Sequence, residues 1–290
     1  MKLKNYHMKI LVLGGSGFLG SHVSDELSKR GHKVTIYDTK KSTWIRKDQK
    51  MVIGNILDKK RLDSEIRKNN AVYNFAAVAD LNLAIDHPVK SAEINILGTV
   101  LVLQICKKYS IKRFVHASSI YAGSSQGGFY SASKRAAEDY IREFKNLFNL
   151  DFTILRYGTV YGPRADKFNS VRNLIQTAKK KGELIYPGSK RSIRKYIHVL
   201  DAALASVKIL DKKYKNKCIM LTGKKPLRVT EFLNRISLNL NIKKKTKFNK
   251  KEKYGHYIKK PKKYKIIKAR RFKFNKTRNF LEEIDKILKV

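Results

Sequence analysis

An apolar run leads into a glycine-rich loop in the sequence Lys9-Ile10-Leu11-Val12-Leu13-Gly14-Gly15-Ser16-Gly17-Phe18-Leu19-Gly20. The run predicts a buried strand. Beyond the loop, Phe18, Val23 and Leu27 recur at helical spacing, and Gly31 can end that helix in a left-handed cap. Glycines between a strand and a helix let backbone N–H groups at the positive helix end approach a pyrophosphate. The stretch therefore predicts a strand, loop and helix that bind a dinucleotide.

An acidic residue follows at the distance that this type of loop requires. The segment 34–37 is β-branched and aromatic, which predicts a second strand, and Asp38 follows it 18 residues after Gly20. A carboxylate there can bind both ribose hydroxyls and repel a 2′-phosphate. Asp38 therefore favours NAD over NADP as the cofactor, although Lys40 and Lys41 lie close enough to keep NADP open.

Strand-like and helix-like segments alternate through the first two thirds of the chain. Apolar segments at 72–77, 114–117 and 152–155 are separated by helical patterns. This alternation predicts an α/β fold with a doubly wound parallel sheet, Rossmann-like, covered by helices on both faces. The pattern loosens after Pro163. We therefore expect a dinucleotide-binding domain over 1–163 and a smaller substrate domain over 164–290, of which about 196–212 packs back on the first.

The composition limits the class of protein. The chain has 290 residues, 42% of them hydrophobic, and a formal net charge of +42. Its apolar content excludes disorder as the main state. Two distant cysteines exclude a disulfide scaffold, and no apolar run reaches the length of a membrane span or a signal-peptide core. We expect a cytoplasmic protein without a membrane partner.

The positive charge raises nucleic acid as an alternative partner. Between Lys243 and Arg278 the one acidic residue is Glu252, and aromatic side chains interleave with the lysines. Such a segment could follow a phosphate backbone and stack bases. Charge runs usually form solvated faces, however, and the excess extends over the whole chain. We therefore do not expect nucleic acid as a partner.

A second group of residues carries acid–base chemistry. Tyr130 and Lys134 are four residues apart at the start of a predicted helix, and Ser118 and Ser119 follow a predicted strand. Taken alone, a tyrosine and a lysine at this spacing indicate only a helix surface. With a cationic nicotinamide nearby, an ammonium beside a phenol lowers the tyrosine pKa and favours a general base. The histidines show no metal-binding spacing, so we expect no metal, and we expect His116 to be a satisfied core histidine.

Together these residues resemble the extended branch of the short-chain dehydrogenase/reductase superfamily, namely the NAD-dependent epimerase/dehydratase family acting on nucleotide sugars. The resemblance runs from Lys9 to about Ala203. Its matching segments are 14–20, 38, 54–58, 75–77, 95–99, 118–119, 130–134, 155–164 and 194–201. Asn95 is similar to the family's buried structural asparagine.

The resemblance implies roles for individual residues. The implied NAD-binding residues are Gly14, Ser16, Gly17, Phe18, Leu19, Gly20, Asp38, Asn55, Ile56, Ala76, Ala77, Tyr130, Lys134 and Tyr157. The implied catalytic residues are Ser119, which would hydrogen-bond the reacting sugar hydroxyl, Tyr130, which would remove its proton, and Lys134, which would hold the nicotinamide ribose. The implied substrate-binding residues are Ser119, Thr159 and Arg194, the last of which matches the family's arginine for the nucleotide diphosphate.

The resemblance also implies an activity. It indicates an NAD-dependent nucleotide-sugar epimerase acting at sugar C4, by transient oxidation to a keto sugar and return of the hydride. A nucleotide-sugar dehydrogenase or reductase using NAD(P) would use the same residues, and a non-catalytic RNA-binding protein on this fold is a third possibility. A 4,6-dehydratase is disfavoured because Ser118-Ser119-Ile120 lacks the acid that eliminating water requires. The family commonly forms homodimers through the helices that here would span 89–109 and 130–148.

Overall fold

The structure of the chain is a computed structural model that describes residues 7–243, 246–248 and 269–289. Its strands are β1 (Lys9–Leu13), β2 (Lys33–Asp38), β3 (Gln49–Ile53), β4 (Ala71–Asn74), β5 (Arg113–Ser119), β6 (Phe152–Tyr157), β7 (Thr159–Tyr161), β8 (Ile185–Tyr186), β9 (Ile193–Arg194), β10 (Tyr196–His198), β11 (Lys217–Leu221), β12 (Leu227–Arg228), β13 (Lys247–Phe248) and β14 (Arg270–Arg271). Most of the basic aromatic segment considered for nucleic acid, including Tyr254, Tyr257 and Tyr264, lies outside the described residues.

The helices alternate with these strands. They are α1 (Phe18–Lys29), α2 (Lys59–Ile66), α3 (Leu81–Asp86), α4 (Pro88–Ala92), α5 (Gly98–Lys108), α6 (Gly128–Phe148), α7 (Ser170–Lys181), α8 (Val199–Lys208), α9 (Val229–Asn239) and α10 (Phe280–Lys289). A π-helical turn, Glu93–Leu97, joins α4 to α5, and short 3₁₀ turns span Ile120–Gly123 and Lys212–Tyr214.

Eight strands form one parallel sheet in the order β14-β11-β6-β5-β4-β1-β2-β3. The strand order reverses at β1, which lies between β4 and β2. Ligands of open α/β sheets bind at the carboxyl ends of the strands where the order reverses. The topology therefore places a crevice beyond the ends of β1 and β4.

Both faces of the sheet are buried, which confirms the predicted doubly wound parallel sheet. On one face, Val23 and Leu27 of α1 and Ala202 of α8 pack with β1 and β2. On the other face, α2, α5 and α6 contribute Leu62, Val102 and Ile141. Central strands covered on both sides are apolar along their whole length, as in β1.

The C-terminal part of the chain divides between two cores. Helices α7, α9 and α10 pack around an aromatic group in which the rings of Tyr196 and Phe280 stack 4.0 Å apart. Helix α8 instead packs on α1, while β11 and β14 extend the main sheet. The part of the chain that packs back on the dinucleotide-binding region thus extends beyond the predicted 196–212 and includes β11 and β14. The boundary between 163 and 164 stays a prediction, because the chain crosses between the two cores more than once.

One helical stretch in the described part, Pro88–Lys108, is long and apolar enough to cross a membrane by length and composition alone. It comprises α4, the π-helical turn and α5. Core helices meet the same criterion, and Val102 and Leu103 of this stretch are fully buried in the protein.

Candidate active site

The glycine loop after β1 has no room for side chains at two positions. Gly14 has φ +75°, and a Cβ added there would lie 2.5 Å from the backbone nitrogen of Ala76. A Cβ at Gly20 would lie 2.2 Å from the Gly14 carbonyl oxygen. No described side chain caps α1, whose N-cap is Gly17. The first N–H groups of this helix are therefore oriented to bind an anion.

Asp38 lies at the end of β2, directly beside this loop. Its Oδ2 accepts a hydrogen bond from the backbone N–H of Ser16 at 3.0 Å, and its Oδ1 accepts one from that of Lys40 at 3.2 Å. The carboxylate thus holds the glycine loop and the chain after β2 together. This position fits the predicted contact with the adenosine ribose.

The predicted adenine-binding residues follow the neighbouring strand β3. The side chain of Asn55 is exposed, and its Oδ1 accepts from the backbone N–H of Leu57 at 3.0 Å. The side chain of Ile56 is buried in the core and packs against Gly98, so a Cβ at Gly98 would lie 2.9 Å from it. Asn55 can therefore contact a ligand through its side chain, and Ile56 through its main chain.

The side of the crevice predicted for nicotinamide begins at the end of β4. The backbone N–H of Ala76 donates to Asn74 Oδ1 at 3.1 Å, and Ala77 follows it. Tyr157 ends β6, but its hydroxyl lies 2.6 Å from Ser206 Oγ, buried in the core against α8. The phenol of Tyr157 thus points away from the crevice, which leaves its main chain for the predicted cofactor contact.

Ser119, Tyr130 and Lys134 come together at the carboxyl end of β5. Ser119 is the last residue of that strand; its Oγ accepts from the Tyr121 N–H at 3.2 Å, and its side chain is near enough to Tyr130 to lower the pKa of that phenol. Lys134 lies one turn further along α6, with Nζ 5.8 Å from the centroid of the Tyr130 ring. This Nζ donates to the carbonyl oxygen of Ala117 at 2.9 Å. The three predicted catalytic side chains therefore share one site.

Burial dominates the electrostatics of this group. It raises the pKa of Tyr130 to about 12, and the hydrogen bond from Ser119 opposes the shift. Burial also lowers the pKa of Lys134 to about 8, opposed by the charge of Glu138. The expected lowering of the Tyr130 pKa is therefore not produced by the chain's own groups, because desolvation outweighs the effect of Ser119.

Asn95 supports the same site from the π-helical turn. Its amide nitrogen donates to Ser133 Oγ at 2.9 Å and to the Val78 carbonyl oxygen at 3.1 Å. Its Oδ1 accepts from the Val78 N–H at 2.8 Å. Since Ser133 lies between Tyr130 and Lys134 in α6, Asn95 joins that helix to the chain beyond β4. This geometry fits the structural role that the resemblance implies.

The predicted substrate-binding residues other than Ser119 lie in the chain after β6. Thr159 begins β7 and is partly exposed. Arg194 ends β9, is 8% exposed, and donates from its guanidinium to the Ile193 carbonyl oxygen at 3.1 Å. Their contact with a nucleotide sugar stays a prediction.

Sequence reasoning missed a buried ionic group beside the site. Glu138 is fully buried and bonds the guanidinium of Arg156, with Nε to Oε1 at 2.8 Å. A signal was present, because Glu138 lies four residues after Lys134 and so on the same side of the helix. The pairing with Arg156 of β6, by contrast, is visible only in the folded chain.

His116 lies in the core, as expected, but the expectation that its ring is hydrogen-bonded is wrong. Within the described part of the chain, neither of its ring nitrogens has a hydrogen-bond partner. The residue is buried on β5, and burial lowers its pKa well below the ordinary value. His116 is therefore a neutral, unsatisfied imidazole in the core.

Comparison with known proteins gives relatives that act on nucleotide sugars, among them epimerases and a decarboxylase. The model of the "NAD dependent epimerase/dehydratase family" matches residues 10–220. A putative UDP-glucose 4-epimerase of Methanocaldococcus jannaschii is 31% identical over 238 residues, 74% of this chain and 77% of that protein. A UDP-N-acetyl-alpha-D-glucosaminuronate decarboxylase of Bacillus cytotoxicus is 27% identical over 237 residues, 73% of this chain and 74% of that protein. The crystal structure of the Thermus thermophilus UDP-glucose 4-epimerase in complex with NAD superposes with a TM-score of 0.77 and 25% identity, covering 88% of this chain and 90% of that one.

Proposed function

Because the chain belongs to the NAD dependent epimerase/dehydratase family, we propose that it is an NAD-dependent 4-epimerase of nucleotide sugars, with UDP-sugars as the substrate class. The observation that carries this proposal is the grouping of Ser119, Tyr130 and Lys134 where β5 ends and α6 begins, in the crevice that the glycine loop borders. The UDP part rests on the names of the relatives.

The residues present fit NAD. The Cβ-free space at Gly14 and Gly20 admits a pyrophosphate close to the backbone, and Asp38 provides the carboxylate that a ribose diol requires. The carboxyl ends of the strands also carry Asn55 after β3, Ala76 after β4 and the main chain of Tyr157 at the end of β6. NAD, when bound, supplies a hydride acceptor and donor.

The chain's own residues orient the sugar hydroxyl and transfer its proton. Ser119 orients this hydroxyl by a hydrogen bond, and Tyr130 takes its proton and later returns it. Since burial raises the pKa of Tyr130 to about 12, the phenol needs a nearby positive charge to act as a base at neutral pH. Lys134 supplies one such charge, and oxidised nicotinamide carries another.

The alternative activities diverge after the sugar has been oxidised. Elimination of water needs further acid–base groups, and Ile120, which begins a 3₁₀ turn directly after Ser119, carries none. This favours epimerisation over dehydration. A dehydrogenase or reductase would use the same three residues but would release the oxidised or reduced product.

The test begins with the protein purified under native conditions and then denatured, with mass spectrometry of any released NAD. The native protein is next incubated with UDP-glucose, UDP-galactose, UDP-N-acetylglucosamine and UDP-glucuronate, and products are identified by NMR. We expect retained NAD and a 4-epimer without net NADH. Stoichiometric NADH would indicate a dehydrogenase, and loss of water or carbon dioxide would indicate a dehydratase or decarboxylase.

We further propose a homodimer in the cytoplasm. The outer surface of α4–α5 and α6 exposes large apolar side chains, which we call the apolar helix face: Val89, Leu97, Tyr140, Leu147 and Phe148. Val89 and Leu147 are each 70% exposed, which is unfavourable in water unless another surface covers them. The two cysteines, both buried and free, support a reducing compartment.

A further inference from the structure

Glu138 lies within a saturated set of hydrogen bonds under the active site. Its Oε1 accepts from Ser118 Oγ at 2.6 Å and from Arg156 Nε at 2.8 Å. Its Oε2 accepts from Arg156 at 2.6 Å and from Arg142 at 2.7 Å. A fully buried carboxylate requires such partners, because an unpaired one would be costly. We call these four residues the Glu138 network.

The carboxylate belongs to the helix that carries the acid–base residues. Tyr130, Lys134 and Glu138 are spaced by four residues along α6, so they lie in a row on one side of it.

The partners of Glu138 belong to the strands that carry the other site residues. Ser118 precedes Ser119 at the end of β5, and Arg156 precedes Tyr157 at the end of β6. One carboxylate thus ties α6 to two adjacent strand ends. The same strand end and the same helix carry Ser119 and Tyr130, so the tie joins the two elements that present these residues.

The charge of Glu138 also acts on Lys134. The groups facing Lys134 are Tyr130 and Glu138 from its own helix, and the Ala117 carbonyl and His116 from β5. The imidazole of His116 is neutral, since burial holds its pKa well below the ordinary value. Among the residues that the structure describes, the negative charge acting on Lys134 is therefore that of Glu138.

We propose that Glu138 is a positioning residue of this site, which holds Ser119 and Tyr130 in register and keeps Lys134 protonated at neutral pH. The inference rests on the proposed function for its catalytic consequence. Its electrostatic part concerns the chain alone.

The direction of the pKa shifts supports this role. Burial lowers the pKa of Lys134 to about 8, and Glu138 raises it against that effect. Removing the carboxylate would therefore lower the Lys134 pKa further and reduce the fraction of Lys134 that is charged at neutral pH.

Glu138→Gln tests the inference, because glutamine keeps the shape and removes the charge. In protein labelled with ¹⁵N-lysine, we expect one Nζ resonance of the wild type to titrate near pH 8, well below ordinary lysines. Its absence in Lys134→Met assigns it. In Glu138→Gln this titration should move to lower pH, and the alkaline limb of kcat should move with it.

Matched controls separate charge from shape. Glu143→Gln makes the same change at an exposed site of α6 and should leave the titration in place. Ser118→Ala removes a hydrogen bond to Glu138 without changing charge, so the titration should again stay near pH 8. If Glu138→Gln does not fold, the double variant Glu138→Gln with Arg156→Met is used in its place, because it removes both charges of the buried pair.

An unchanged Lys134 titration in the charge-removing variants would overturn the inference and would leave the proposed epimerase activity intact. A shifted titration in a protein that turns over no UDP-sugar would have the opposite meaning. The electrostatic role would then stand, and the proposed function would fail.

Discussion

Tyr130 is the residue on which the proposed proton transfer depends. We expect Tyr130→Phe to keep the fold and the bound NAD, because the ring and its packing remain. Its kcat should fall by about 10²- to 10⁴-fold, the usual contribution of a general base. The measurement is turnover of a UDP-sugar alongside NAD content by mass spectrometry.

A control for this variant lies at the opposite ends of the strands. Tyr214→Phe removes a phenol hydroxyl in the 3₁₀ turn before β11, away from the crevice, and should leave turnover unchanged. If Tyr130→Phe turned over within a few-fold of the wild type, another group would have to serve as the base.

Gly14 is a position in the glycine loop where an added side chain would collide with backbone atoms. Gly14→Ala adds a methyl group 2.5 Å from the backbone nitrogen of Ala76, at φ +75°. We expect loss of retained NAD and a large fall in thermal stability, because the backbone of Gly14 or that of Phe75 and Ala76 must move. The measurements are the melting temperature and the NAD content of the purified protein.

Gly182→Ala is the matched control for the backbone angle. Gly182 has φ +60° at the end of α7, and nothing lies within 4 Å of its added Cβ. This variant should lose only about 1 kcal/mol, the cost of left-handed backbone for alanine, and keep its NAD. Equal losses in both variants would mean that the close approach to Ala76 is unimportant.

At the scale of elements, α8 begins at a histidine whose ionisation opposes folding. His198 Nδ1 accepts from the Leu200 N–H at 3.2 Å, which caps the helix and requires a neutral ring nitrogen. Burial lowers the pKa of His198 to about 4, and Glu283 opposes the shift. The unfolded chain, with an ordinary histidine pKa near 6.5, therefore binds the proton first as pH falls.

The free energy of unfolding should therefore decrease as pH falls from about 6.5 to about 4, by at most about 3 kcal/mol from this residue. His198→Asn keeps a cap acceptor and removes the titration. Denaturant unfolding at pH 7 and pH 5 should show a smaller pH difference in the variant than in the wild type. An equal difference in both proteins would assign the acid sensitivity to other groups.

At the scale of the whole molecule, the apolar helix face predicts the assembly. Leu147→Glu places a charge at its most exposed part, and burying that charge in an interface would be costly. We expect analytical ultracentrifugation to give two copies of the 33.5 kDa chain for the wild type and one for the variant.

Leu238→Glu is the control for this substitution. Leu238 is 77% exposed on α9, a helix whose other side packs in the C-terminal core. It lies away from the apolar helix face, so the dimer should persist in this variant. A monomeric wild type at micromolar concentration would contradict the proposed homodimer.

Local features of the chain are sufficient to predict much of this molecule. The apolar run 9–13, the glycines after it and Asp38 predict the dinucleotide crevice, because strand, turn and helix preferences act over a few residues. The same holds for Tyr130 and Lys134, which one helical turn brings to one side. Family membership, the parallel sheet and NAD as cofactor are confirmed by the comparisons and the topology.

Other features depend on which segments meet in space, and a local pattern does not contain that information. The pairing of Glu138 with Arg156 and Ser118 and the burial of the Tyr157 hydroxyl against Ser206 join residues far apart in the chain. The unsatisfied ring of His116 likewise depends on which groups surround it in the folded core. The addition of β11 and β14 to the sheet edge is of the same kind. Periodicity shows that a side chain is buried, but its partner and the face on which it lies are decided by packing between distant elements.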